Sequence, residues 1–132
     1  MRPSRKAFSS DSTGEVARVA RVNADLAVTY LRAGTTRPGR AIDLSGSGLF
    51  VETTAPPPIG SEIDLSFEQA GGRAAVVLRA RVSRIGVARR QVIHRRVHHL
   101  TLTAHGFGCR FLEELPLELR EIYDDLLAVD EG

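Results

Sequence analysis

From Val16 onward, apolar residues recur at every second or third position, in short runs broken by glycine and proline. The alternation is cleanest in Glu62-Ile-Asp-Leu-Ser-Phe67. There Ile63, Leu65 and Phe67 fall on one face and Glu62, Asp64 and Ser66 on the other, as in a strand with one wet side. Asp25 to Leu31 has the β-branched and aromatic content of a first strand. Ala33 to Gly39 supplies turn residues, and Arg40 to Glu52 reads as a second strand interrupted by a Gly46-Ser47-Gly48 kink, so these two strands predict a hairpin. Pro56-Pro57-Pro58 cannot donate to a ladder and marks a rigid connection. Beyond the Gly71-Gly72 turn, the pattern predicts a strand over Ala74 to Ile85, a hairpin arm over Val87 to Thr103 and a closing strand over Gly106 to Phe111. The period then changes. Leu119, Ile122, Tyr123, Leu126 and Leu127 recur at helical spacing behind Pro116, which predicts an amphipathic helix over about 116–128. Many short strands, glycine-rich turns and one terminal helix indicate an all-β fold, a small antiparallel barrel with a C-terminal helix.

With 132 residues and 42% hydrophobic content, the chain is long enough for one core. Residues 1–14 carry one large apolar group, Phe8, too little to offset the entropy of ordering, and read as a flexible arm. Residues 15–132 form a single domain, with the barrel over about 15–112. No window approaches the roughly 20 apolar residues of a membrane span, and the first residues lack the apolar core of a secretory signal, so a cytoplasmic protein without membrane insertion is expected. Charge is segregated. Gln69 to Leu112 holds nine arginines and no acid, and Glu113 to Gly132 holds eight acids and one arginine. An anionic ligand, an acidic partner, or a basic hairpin lying against an acidic helix each accounts for this.

Several chemistries are poorly served. Cys109 is the single cysteine, which allows neither an internal disulfide nor a structural zinc site, and it reads as a buried thiol. His94, His98, His99 and His105 lie on an arginine-dense stretch without a neighbouring carboxylate, so a solvated basic hairpin is expected and no metal. Val77 to Leu102 contains no Phe, Tyr or Trp, which leaves nucleic acid only nonspecific phosphate attraction. Ser45, Asp43 and a histidine would formally make a triad, but no nucleophile elbow surrounds Ser45, and no lysine-bearing helix follows Gly46-Ser-Gly48. The chain is expected to have no catalytic residues and no cofactor.

Ala41-Ile-Asp-Leu-Ser-Gly-Ser-Gly-Leu-Phe-Val51 resembles the second signature of the PilZ family, with Asp43, Ser45 and Gly48 in its three slots. The resemblance continues through Pro58 to Phe67, Arg79 to Ile85 and Gly106 to Phe111, and covers Val16 to Leu127. It implies a PilZ-like barrel that binds cyclic di-GMP without catalysis and relays it to a partner protein. The spacing puts Asp43 and Ser45 on one strand face. A carboxylate can accept from both donors of a guanine edge, a hydroxyl adds a second contact, and glycine allows close approach. The family's first signature is a pair of arginines separated by three residues, whose guanidinium groups stack on guanine and pair with phosphate. Arg21 matches its second slot. Ala17 stands in the first, and Arg18 lies one residue late. The resemblance thus implies ligand-binding roles for Arg18, Arg21, Asp43, Ser45 and Gly48. The departure at Ala17 keeps open a second reading, a degenerate PilZ adaptor that acts by protein–protein contact in bacterial motility or signalling.

Overall fold

The computed structural model describes residues 21–67, 76–94 and 98–131. Residues 1–14, Arg18 and the Gly71-Gly72 turn lie outside them. Six antiparallel strands, β1 (Val22–Arg32), β2 (Thr35–Leu44), β3 (Gly48–Glu52), β4 (Glu62–Phe67), β5 (Val76–His94) and β6 (His98–Phe111), close into a barrel in the order β1-β2-β3-β6-β5-β4, and one helix, α1 (Leu117–Glu131), follows.

The alternation seen in the sequence fills the barrel. Ile63, Leu65 and Phe67 of β4, Leu78 and Ala80 of β5, and Phe107 and Cys109 of β6 all point inward and are buried. Each large side chain so placed contributes roughly 1.5–3 kcal/mol. Tyr30 of β1 packs edge-on against Phe107, with ring centroids 5.2 Å apart. Its hydroxyl donates to the Ala55 carbonyl and contacts the Thr53 hydroxyl, each at 2.8 Å, so the polar tip is satisfied where the barrel buries it. Helix α1 packs Leu119 and Tyr123 into the same core, with Ile122, Leu126 and Leu127 half-buried behind them.

Three local features depart from the sequence expectation. The turn between β1 and β2 is only Ala33-Gly34, both at positive φ (52° and 81°), a conformation whose twist suits a two-residue hairpin. Thr35 to Gly39 therefore belongs to β2. Pro38 is tolerated there because pairing with β3 begins only at Arg40–Glu52, so its other edge is open. Second, Arg40 to Glu52 is two antiparallel strands. Gly46-Ser47 reverses the chain, and Ser45 N–H donates to the Gly48 carbonyl at 2.9 Å across the turn. Third, the expected hairpin arm and closing strand are one long ribbon, with β5 and β6 paired from Ala80–Phe111 to His94–His98.

Beyond Arg81 β5 has no register partner in β4, and before Gly106 β6 has none in β3, so there the two strands pair only with each other. Gly86 and Gly106 face each other where the ribbon leaves the barrel. Ala88 and Ala104 then pack on Ile42 and Phe50 in a small second core on the outer surface. Arg90 reaches Glu52 at 3.3 Å and Asp25 at 3.6 Å. The ribbon thus lies over the outside of β2 and β3.

Candidate functional site

Residue Asp43 sits beside the irregularity in β2 where the pairing with β3 shifts between Ala41 and Asp43. The shift lets Ile42 face outward next to it, while Ala41 and Leu44 stay in the inner core. Phe50 lies opposite in β3, and its N–H donates to Asp43 Oδ1 at 2.9 Å. Arg21, just before β1, donates from Nη1 to the same oxygen at 2.8 Å. One backbone donor and one guanidinium therefore orient the carboxylate at the barrel surface, where the Arg21 side chain is 53% exposed and that of Asp43 20%. An exposed pair of this kind adds about 0–1 kcal/mol of stability. Its chief effect is orientation: both recorded contacts fall on Oδ1.

Ser45 is placed differently from expectation. The β2 strand ends at Leu44, and Ser45 is 1% exposed inside the following turn. Its Oγ accepts from the Ser47 and Gly48 N–H groups and donates to the Gly48 carbonyl, each at 3.2 Å. The physical reason is the reversal at Gly46-Ser47, whose backbone donors need an acceptor that a hydroxyl two residues earlier can supply. Asp43 and Ser45 are therefore not on one strand face. Gly48 is likewise engaged by the fold, since a Cβ at that position would lie 2.1 Å from the Cys109 carbonyl oxygen in β6. The close approach it permits is that of a neighbouring strand.

Of the expected site residues, then, the structure joins Arg21 to Asp43 and places Ser45 and Gly48 in the turn beside them; Arg18 lies outside the described residues. Beneath the turn Cys109 is buried, and its burial pushes the thiol from an ordinary 9.0 up to about 12. Among the described residues no three His, Cys, Asp or Glu side chains converge as metal ligands, and no helix is long and apolar enough to cross a membrane. Sequence reasoning weighed Arg84 only within a basic surface for nucleic acid and missed that its guanidinium lies 5.0 Å above the Phe50 ring, and it passed over Arg110, which β6 pairs directly opposite Arg81. Only strand register could have revealed either.

Comparison with known proteins gives the same architecture a family. The structure is similar to that of the PilZ domain with c-di-GMP of YcgR from Escherichia coli, with a TM-score of 0.53 and 22% identity over 86% of this chain and 91% of that one. At that identity the likeness speaks for the fold. No curated protein matches the chain. The family model for the PilZ domain matches residues 15–128, most of the length, and on that ground the chain belongs to the PilZ domain family.

Proposed function

We propose that the domain is a receptor for cyclic di-GMP that performs no chemistry on it, acts in the bacterial cytoplasm and passes ligand occupancy to a partner protein in a signalling or motility pathway. The observation that carries the reading is the Arg21–Asp43 pair. Its carboxylate is oriented in advance by the Phe50 N–H, and its guanidinium lies half in solvent. A guanine edge offers two donors to a carboxylate, and a phosphodiester offers paired acceptors to a guanidinium, so both halves of the pair have a counterpart on the ligand. Pre-orientation removes part of the entropic cost of capture. In this reading Ser45 and Gly48 act by shaping the turn, and Arg18 supplies a second cationic contact.

The adaptor reading retains one specific support, Ala17 in the slot four residues before Arg21. Calorimetric titration with cyclic di-GMP separates the two. The receptor reading expects binding at micromolar or tighter affinity, about −8 kcal/mol or better. It also expects that Arg21→Ala and Asp43→Ala each weaken binding by at least about tenfold, the minimum for losing a charge-assisted contact. No heat from the parent, with binding created by Ala17→Arg, would instead support the adaptor.

A further inference from the structure

On the outer face of β5 and β6, Arg81 and Arg110 stand directly opposite each other in register. Residues so paired have Cβ atoms about 4.5–5.5 Å apart, and like charges there are destabilising. Arg81 is partly compensated by Glu62 of β4, whose Oε2 lies 2.8 Å from Nη2. Arg110 is exposed and has no ion-pair partner among the described residues. Its neighbour on the other side, in β3, is Gly48, which contributes no side chain. The space left open is a cleft of about 230 Å³, lined among others by Gly46 and Ser47 of the signature turn, by Arg81, Ser83 and Arg110, and by Glu113. Glu113 is engaged elsewhere, accepting the Arg79 N–H at 3.2 Å.

Past the cleft, strand β5 also reaches the partner of Asp43. An irregularity in β5 between Val82 and Arg84 offsets the register, so that Arg84 stands opposite Gly108 and runs across it to the Phe50 ring. Phe50 is the residue whose N–H holds Asp43. The Arg84 guanidinium, which also donates from Nη1 to the Val87 carbonyl at 3.2 Å, thus touches the residue that orients the carboxylate. Two opposed guanidiniums beside a serine and a glycine turn, retained at a cost in repulsion, suit an oxyanion of phosphate size.

We propose that this cleft is a phosphate-binding site in which Arg110 and Arg81 take a phosphodiester group of the bound nucleotide, supplying from the far strands the guanidinium that Ala17 withholds. The assignment rests on the receptor reading above for the identity of the nucleotide, but not for the phosphate chemistry. The test is an NMR titration of the full chain, once with inorganic phosphate and once with cyclic di-GMP. It follows the amides of Gly46, Ser47 and Arg110 together with those of Arg21 and Asp43, and is repeated on Arg110→Ala and Arg81→Ala. Cleft amides shift with either anion, and each substitution weakens the response by at least about tenfold. Arg110→Ala leaves the thermal midpoint of the free domain unchanged or slightly raised, because it relieves a like-charge pair, so weaker binding is not misfolding. If cyclic di-GMP moves Arg21 and Asp43 but not the cleft, if neither anion moves the cleft, or if both variants bind within about twofold of the parent, the phosphate site is refuted. Should phosphate move the cleft while cyclic di-GMP moves nothing, the receptor reading fails and the site serves another phosphate ester.

Discussion

The signature turn and the arginine-bearing face of β5–β6 lie side by side and are built on opposite terms. At the turn the fold itself engages the signature residues: Ser45 Oγ satisfies the reversal, Asp43 at the end of β2 holds a strand N–H, and Gly48 lets β3 close on β6. On the arginine face, Arg110 is set against a second arginine and receives no carboxylate among the described residues. Ser45 and Gly48 are accounted for by stability alone. The Arg81–Arg110 pair is not, and on that asymmetry the proposed phosphate site rests.

This comparison can be broken most forcefully at Gly48. Gly48→Ala drives a Cβ onto the Cys109 carbonyl, and because that atom is backbone little can yield, so urea unfolding should show a loss of roughly 3 kcal/mol or more. Lost ligand binding in this variant would report folding. A smaller effect is expected at Ser45. Ser45→Ala strips the acceptor from two turn N–H groups in a buried setting and should cost about 1–2 kcal/mol in the same measurement, with near-parental affinity once folded. If affinity collapsed while stability held, Ser45 would be a ligand contact and the contrast drawn here would be wrong. Smallest is the effect of pH on Cys109, beneath the turn. The folded thiol holds its proton to about pH 12, whereas the unfolded chain releases it near 9.0. The unfolded state therefore binds fewer protons between those values, and stability, complete below the lower one, declines through that window. The loss from this group should reach about 1.4 kcal/mol one unit into it. A Cys109→Ala variant should lack that component of the alkaline decline.

The parts of this architecture that were legible in the sequence are those in which one segment determines its own geometry. The alternation of Glu62 to Phe67 returns as β4, and the helical spacing after Pro116 returns as α1, running to Glu131. The family resemblance assigned Arg21 and Asp43 to one ligand site without pairing them, and the structure brings their side chains into contact. What was illegible depends on which strand meets which. Gly46-Ser47-Gly48 reads equally well as a kink within one strand or a reversal between two, and only the closing of β3 on β6 decides. Ser45 turned inward for the same reason. Arg81 and Arg110 carry no local sign of being partners, since their meeting is set by the register of the whole ribbon.

The pairing of β3 with β6 also affects when the site comes into being. A chain emerging from the ribosome presents Arg21, Asp43, Ser45 and Gly48 early, but the strand against which Gly48 is seated is the last of the six. Closure must wait for a contact spanning most of the domain, the kind of long-range pairing that makes β-barrels fold slowly. The segment from Arg21 to Gly48, proposed above as the recognition element, is thus made first and seated against β6 last.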